Sequence, residues 1–312
     1  MRHYHILCIA LAVALGLPNV VATKEPAKPA HSRALSDILA ASPASDWREL
    51  DPDNTLYMDL PAGRVVIEMA PLYSPMHVAN IKILAHEHYF DGLAVIRSQD
   101  NYVAQWGDPS GDVEGSVAKA IGSAKETLPA EFTVPISSAM AFTRLPDGDL
   151  YAPQVGFSNS FPVGRNPKTK QTWLTHCYGA VGVGRGNDPT SGNGTSLYAV
   201  NGHAPRHLDR NIAVVGRVVQ GMEWLSSLPR GTGPLGFYEK PEQQTTITSV
   251  KLAADVPAEQ RTRLQILRTD SATFAAVEEA RRNRHDDFYV VPVGRIELCN
   301  VQIPVRPIPA AK

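Results

Sequence analysis

The residues that first suggest chemistry lie in the stretch "AVIRSQDNYVAQWGDP", where Arg97 stands eight positions before Gln105. Neither side chain is a nucleophile or a general base, and the sequence contains no Gly-x-Ser-x-Gly nucleophile elbow. His86 and His88 are spaced i,i+2 in a predicted helix, which directs their imidazoles to different faces instead of toward one metal ion. The stretch therefore offers a permanently charged, planar hydrogen-bond donor beside an amide, and we expect no metal or other cofactor.

Short strands must position these two side chains. Strand-length runs rich in β-branched residues recur along the chain, separated by Gly, Asn, Asp and Pro: "LAVIR", "YVAQW", "GAVGVG", "SLYAV", "IAVVGRVV" and "TTITSVKL". "LYMDL" and "RVVIEM" predict a first hairpin. Because strands do not alternate with helices, these patterns predict a mostly β fold, a closed antiparallel barrel.

Two α-helices are predicted to cap the ends of that barrel. The first has Ser74 as its N-cap and Pro75 as its first residue, and Gly92 lies just past its end. Apolar residues recur in it at helical spacing. The second is the short run "GMEWLSSL", residues 221–228.

An insertion and a C-terminal extension flank the predicted barrel domain, which we assign to residues 51–254. Residues 133–175 are rich in Pro, Gly and Ser and are predicted to form an inserted hairpin loop around "RLPDGDLY". Residues 255–312 are predicted to form a small α/β extension. We expect it to pack on the barrel, because alone it has too little apolar surface for a core.

One helix is clear in the extension, Ser271–Arg284, with Phe274 and Val277 on its apolar side. The tail that follows reads "FYVVPVGRIELCNVQIPV" and is predicted to be extended. Its prolines cannot donate to a ladder, so they confine this strand to the edge of a sheet.

The N-terminus has the three parts of a secretory signal peptide: the basic Arg2, an apolar run over 6–17, and small residues ending at Ala22. The apolar run is too short to span a bilayer. We therefore expect residues 1–22 to be a signal peptide cleaved after Ala22 and residues 23–50 to be a leader or linker. The mature protein is expected to be periplasmic or secreted, with no membrane contact.

Cleavage would leave two cysteines, Cys177 and Cys299. An oxidising compartment favours a disulfide between them. The alternative is two buried thiols, which we favour slightly, because the sequence does not show that their Cα atoms come close enough to bond.

The charge of the chain is balanced, with 30 basic and 31 acidic residues. A formal net charge of −1 gives no general attraction to nucleic acid. We expect no nucleic-acid partner and a monomeric chain.

Several ordered blocks resemble the cyclophilin-type peptidyl-prolyl isomerases. The family's Tyr-Tyr-Asp-Gly, Phe-His-Arg and Phe-Met-x-Gln-Gly-Gly-Asp-Pro elements are matched without a gap by "YFDG" at 89–92, "VIR" at 95–97 and "YVAQWGDP" at 102–109. "LPAEF", "HCYGAVGVGRGNDPTSGNGTSLYAV" and "HLDRNIAVVGRVVQGMEWL" are similar to later elements. The resemblance covers roughly residues 52–252 around the insertion. It implies an eight-stranded cyclophilin-like barrel.

The resemblance implies that Arg97 and Gln105 are the catalytic residues. Rotation of an X-Pro bond faces a barrier near 20 kcal/mol, and it makes or breaks no covalent bond. A guanidinium that donates to the prolyl nitrogen of the twisted amide would act in the transition state, with no covalent intermediate. Gln105 would hold the substrate backbone and orient Arg97.

The substrate-binding residues implied by the resemblance depart from the family pattern. They are Tyr102, Val103, Gly184, Ser196, Tyr198, His207, Leu208 and Ile212. Most of these changes keep an apolar or aromatic lining, but the family's pocket His and Gln are lost, and each lost hydrogen bond is worth about 1 kcal/mol. Trp106 also stands where the family has glycine. We therefore expect weakened activity or an altered sequence preference.

Two hypotheses of different classes follow. The first is an exported isomerase that acts on X-Pro bonds of proline-containing polypeptides or unfolded exported proteins. The second is a catalytically weak or inactive cyclophilin-like module that binds proline-containing peptides or one envelope client. The presence of both Arg97 and Gln105 favours the first, because a binding module has no need of a guanidinium at the prolyl nitrogen.

Overall fold

A computed structural model describes residues 34–111, 115–284, 288–289 and 291–308. The predicted signal peptide, the start of the leader and Cys8 lie outside these residues. Among the helices described, none is long and apolar enough to cross a membrane.

The largest element is a curled, nine-stranded antiparallel sheet that carries Arg97 and Gln105. Its strands, in spatial order, are Thr245–Thr246, Ala94–Ser98, Val103–Gly107, Leu197–Val200, Ala180–Val183, Val214–Gln220, Gly63–Met69, Thr55–Leu60 and Ser249–Leu252. The predicted first hairpin is confirmed, with six register pairs between Thr55–Leu60 and Gly63–Met69. The predicted mostly β architecture is also confirmed.

The predicted closed, eight-stranded barrel is wrong: the sheet counts nine strands and is open. The run "TTITSVKL" is split by Ile247 and Thr248 into two short strands. The first pairs with Ala94–Ser98 and the second with Thr55–Leu60, so these two strands are the opposite edges of the sheet.

The inner face of the curled sheet packs into the main hydrophobic core. On Val103–Gly107, Ala104 and Trp106 belong to this core, and Trp106 is only 1% exposed. Side chains of a strand alternate between faces. Val103 and Gln105 therefore lie on the outer face, and Trp106 contributes to packing inside the sheet.

The described helices are Leu35–Ala40, Pro75–His86, Met222–Ser226 and Ala272–Arg282. Pro75 begins the first predicted helix as expected, but the Ser74 side chain does not cap it, because its hydroxyl donates to the carbonyl of Val214. The carboxylate of Glu131 accepts from the backbone N–H groups of Met76 and His77 instead. A negative charge there also complements the helix dipole.

The insertion is larger than the predicted hairpin loop and forms a five-stranded antiparallel sheet. Its strands, in spatial order, are Val134–Pro135, Gln171–Leu174, Phe161–Asn166, Gln154–Ser158 and Thr143–Leu145. The predicted hairpin is present, because the last two strands pair and "RLPDGDLY" begins their connection. Leu145, Val155 and Phe157 of these strands are buried.

The C-terminal extension folds together with the segment that precedes the barrel. Strands Trp47–Glu49, Leu264–Leu267 and Val305–Pro307 form a three-stranded sheet, with the last strand at its edge. The predicted leader or linker is therefore wrong for residues 34–50, because Ile38 and Trp47 pack in one core with Phe274. Val256 and Leu264 pack against Tyr57 and Val66 of the large sheet.

The helix of the extension begins as predicted. Ser271 is its N-cap, and the hydroxyl accepts from the backbone N–H of Phe274. Phe274 and Val277 are fully buried.

Cys177 and Cys299 form a disulfide, so the preference for two buried thiols is wrong. Their Cα atoms lie 5.0 Å apart, although 122 positions separate them in the chain. The bond ties the segment that follows the insertion to the C-terminal extension.

Candidate active site

Arg97 and Gln105 face each other on neighbouring antiparallel strands, where they are register partners. The Nη1 of Arg97 donates to Gln105 Oε1 at 3.0 Å, and Gln105 Nε2 donates to the Ser196 hydroxyl at 3.0 Å. Both ends of the Gln105 amide are therefore held, and the amide orients the guanidinium.

Three further residues hold Arg97. Its Nε donates to the carbonyl of Leu235 at 2.7 Å, and its Nη2 donates to Gln99 Oε1. The ring of Phe237 lies 5.3 Å from the guanidinium carbon, which is a cation–π distance. Burial lowers the pKa of Arg97, although an arginine remains charged at neutral pH.

Sequence reasoning did not find these three partners. Gln99 had a local signal, because residues two apart in a strand share a face. Leu235 is 138 positions from Arg97, and no local pattern in the sequence indicated that the two residues meet. It is 68% exposed, with a φ of 57° that is unusual outside glycine, and it presents its carbonyl to Arg97.

Four of the eight expected substrate-binding residues lie together in the structure. Tyr102, Val103, Tyr198 and Ile212 belong to one apolar cluster. Val103 and Tyr198 are buried, whereas Tyr102 and Ile212 are half-buried and so are accessible to a ligand.

His207 and Leu208 lie on the 3₁₀ turn Arg206–Leu208. The His207 side chain is exposed, and its ring is parallel to that of Tyr102, 6.4 Å away between centroids. Leu208 is half-buried on the same turn. The turn thus brings the His207 ring next to Tyr102, whose own ring lies 5.5 Å from the guanidinium carbon of Arg97.

Gly184 lies beside the hydrogen bond between Ser196 and Gln105. Its N–H donates to the Ser196 carbonyl at 2.8 Å. A Cβ at position 184 would lie 2.8 Å from Ser196 Oγ and 3.2 Å from Gln105 Nε2. The absent side chain therefore leaves room for the hydrogen bond between Ser196 and Gln105.

A buried polar cluster that sequence reasoning missed lies behind Tyr198. The Tyr198 hydroxyl is 2.9 Å from His176 Nε2, and His176 Nδ1 is 3.0 Å from Asp209 Oδ1. Burial raises the pKa of Tyr198. Burial opposes ionisation of Asp209, but the hydrogen bond from His176 and the charge of Arg206 outweigh it and hold the pKa of Asp209 below its usual value.

Two sizeable cavities lie away from Arg97. One of about 450 Å³ is lined by residues such as Arg48, Glu68 and Arg268. Another of about 360 Å³ adjoins Cys177, Cys299 and Arg217. We place the candidate active site at Arg97 and not at the larger cavity, because the guanidinium of Arg97 is oriented by Gln105, Gln99 and Leu235 and lies beside the ring of Tyr102.

The family model described as "Cyclophilin type peptidyl-prolyl cis-trans isomerase/CLD" matches residues 55–252. A "Probable peptidyl-prolyl cis-trans isomerase" of Brucella suis is 28% identical over 187 residues, which cover 58% of this chain and 74% of the relative. A "Putative thylakoid lumen peptidyl-prolyl cis-trans isomerase" of Synechocystis is 23% identical over 184 residues, covering 57% of this chain and 44% of that protein.

The crystal structure of a cyclophilin from Hirschia baltica has a similar fold. It superposes with a TM-score of 0.67 at 24% identity, over 88% of this chain and 97% of the other. The structural likeness therefore extends beyond the residues matched by the family model.

Proposed function

The chain belongs to the cyclophilin-type peptidyl-prolyl cis-trans isomerase family, and from that premise we propose that Arg97 lowers the barrier to X-Pro rotation in exported proteins. The observation that carries the proposal is the Arg97 guanidinium, which is held by Gln105, Gln99 and Leu235 beside the apolar cluster of Tyr102. The protein is thus an enzyme of the peptidyl-prolyl isomerase class.

The reaction needs a donor that is effective only when the amide is twisted. In the planar amide the prolyl nitrogen shares its lone pair, whereas in the twisted state the lone pair is free to accept. Three of the five guanidinium N–H groups of Arg97 have partners among the described residues. The second N–H on each Nη is thus left for a substrate. Because the guanidinium is already oriented, it can stabilise the transition state without first having to change its position.

The proline ring would rest on the apolar cluster. Tyr102 and Ile212 are two of its half-buried members and would contact the ring, with the buried Val103 and Tyr198 below them. The side chain of Val103 is shorter than the methionine usual in the family, so it fills less of the pocket. We therefore infer weaker binding or a changed preference, and not loss of activity.

Export is the second part of the proposal. It is supported by the expected signal peptide and by the disulfide between Cys177 and Cys299, which suits an oxidising compartment. The name of the Synechocystis relative, which refers to the thylakoid lumen, also supports it. The substrates would then be proline-containing, unfolded proteins of the periplasm or the exterior. We assign catalysis to residues 51–254 of a monomer.

A protease-coupled isomerisation assay on an Ala-Pro peptide tests the catalytic role. We expect Arg97→Ala to lose roughly 100- to 1000-fold of the catalysed rate, the usual effect of removing one transition-state donor. The matched control is Arg64→Ala, because Arg64 is also a strand arginine with a fixed partner, but it pairs with Asp59.

The control should keep the wild-type rate. If the wild type and Arg97→Ala both give the uncatalysed rate while the peptide still binds, the protein is a binding module and the catalytic proposal is wrong.

A further inference from the structure

A continuous chain of buried polar side chains runs from the floor of the candidate proline pocket into the insertion. It comprises Tyr198, His176, Asp209, Arg206 and Asp149, joined in that order. None of the last four matches an expected site residue. Because these side chains are withdrawn from water, each contact between them is strong and each loss is costly.

The first part of this series of buried polar side chains, from Asp209 through His176, fixes the position of the Tyr198 hydroxyl. One Asp209 oxygen, Oδ1, accepts from both the backbone N–H and the Nδ1 of His176, at 3.0 Å each. His176 thus presents Nδ1 to Asp209, and its other ring nitrogen, Nε2, lies 2.9 Å from the Tyr198 hydroxyl oxygen. The hydroxyl therefore points away from the pocket, which receives the apolar face of the ring.

Gly182 allows this placement of Tyr198. A Cβ at position 182 would lie 2.3 Å from the ring of Tyr198, so only glycine lets the ring lie across the neighbouring strand. The ring position is thus set from two sides, by the close approach to Gly182 and by the bond to His176.

The second part of this series of buried polar side chains, Arg206 with Asp209 and Asp149, fixes the turn that carries His207 and Leu208. Arg206 precedes these two residues, and its Nε donates to Asp209 Oδ2 at 2.6 Å. Its Nη1 and Nη2 donate to the two carboxylate oxygens of Asp149 at 2.9 and 3.1 Å. Such a two-point pair sets the orientation of a guanidinium as well as its position.

Asp149 belongs to the insertion and is itself held in place. Its Oδ1 accepts from the backbone N–H groups of Tyr151 and Ala152 at 2.8 Å each. The side chains of Arg206, Asp149 and Asp209 are at most 3% exposed. Buried ion pairs of this kind often add little to stability compared with apolar packing, and a role in specifying one conformation is one reason to keep them.

We propose that Asp149 and Arg206 are positioning residues for the proline pocket, so that the insertion sets the affinity for X-Pro peptides. The inference rests on the proposed function and adds a specificity role for residues 133–175. Through Asp149 and Arg206, the insertion holds both the pocket floor at Tyr198 and the turn of His207.

The test compares two aspartates of the same loop. Asp149→Asn weakens the pair with Arg206, and Asp147→Asn is the matched control. Asp147 also makes a two-point pair, with Nε and Nη2 of Arg282, and its side chain is only 6% exposed, but it connects to the helix Ala272–Arg282 and not to the pocket. Both variants should lower the thermal midpoint.

Only Asp149→Asn should weaken binding of an Ala-Pro tetrapeptide, by roughly tenfold, the equivalent of one charge-assisted hydrogen bond. The dissociation constant is measured by titration, and KM and kcat by the isomerisation assay. We expect KM to rise with kcat nearly unchanged, a split that a general loss of stability does not produce.

The inference is overturned if both variants keep the wild-type dissociation constant, or if both raise it equally. Should Asp149→Asn fail to fold, Arg206→Lys tests the same pair, because it keeps the charge and loses the two-point geometry, and a wild-type dissociation constant in that variant overturns the inference. A wild type that binds the peptide without catalysing isomerisation refutes the proposed activity alone, because the titration still measures the effect of Asp149.

Discussion

The Oε1 of Gln105 accepts a hydrogen bond from Nη1 of Arg97 at 3.0 Å across two antiparallel strands. The Nε2 of the same amide donates to Ser196, so the oxygen is directed at the guanidinium. This relationship turns a flexible arginine into a donor with a defined direction. The contribution of this hydrogen bond to catalysis can be measured by removing the acceptor.

The variant Gln105→Leu removes the acceptor while keeping a side chain of similar size. We expect kcat/KM for an Ala-Pro peptide to fall about tenfold, because one hydrogen bond to a charged group is lost and the guanidinium gains freedom. The protease-coupled assay measures this directly. Wild-type kcat/KM in this variant would show that Gln105 does not orient Arg97.

The variant Phe237→Leu tests the aromatic contact with Arg97. It keeps an apolar side chain but removes the ring face that lies 5.3 Å from the guanidinium carbon. We expect a loss of kcat/KM of roughly threefold, in line with a partly exposed cation–π contact. The peptide dissociation constant should not change, and a weaker affinity at constant kcat would place Phe237 in substrate binding.

Reduction of the disulfide should destabilise the protein without directly touching Arg97. Cys177 and Cys299 close a loop with a sequence separation of 122, for which the loss of a native disulfide typically costs about 2–5 kcal/mol of the free energy of unfolding. Urea unfolding of the wild type and of the double variant Cys177→Ser/Cys299→Ser, each with and without reductant, measures the effect. If reductant shifts the double variant as much as the wild type, the shift has another cause.

Stability should fall in acid because several carboxylates have lowered pKa values. Hydrogen bonds from Arg282 lower the pKa of Asp147, and His176 and Arg206 keep the pKa of Asp209 low despite its burial. An unfolded aspartate titrates near 3.9. The stabilisation is therefore complete above about pH 5 and is lost as the pH falls below about 4, through the folded-state values.

The variant Asp147→Asn separates one contribution to that acid dependence. It should have a lower thermal midpoint than the wild type at pH 7, and the difference should shrink at pH 3, which is below the unfolded-state aspartate value of about 3.9, so that unfolding of the wild type takes up a proton there. A difference that stays constant between these pH values would mean that Asp147 does not titrate with unfolding.

Local patterns determined much of the fold. The period-2 runs predicted the strands that carry Arg97, Gln105 and Tyr198, and Pro75 and Ser271 marked the starts of two helices. Such patterns can be recognised in a sequence because side chains return to the same face of a strand every two residues and of a helix every 3.6 residues. Arg97 and Gln105 were identified by the family resemblance, and the structure places them on strands that pair directly.

Contacts between distant segments were decided only by the tertiary structure. Leu235 meets Arg97 across 138 positions, and Asp149 meets Arg206 across 57. The pairing of Cys177 with Cys299, the split of the last strand and the folding of residues 34–50 with the extension are of the same kind. Periodicity says which face of an element is buried, but not which distant side chain covers it, because that depends on how the elements pack in space. The sequence by itself thus predicted the pair Arg97 and Gln105, through its resemblance to a family, and the packing of distant segments decided which residues hold Arg97.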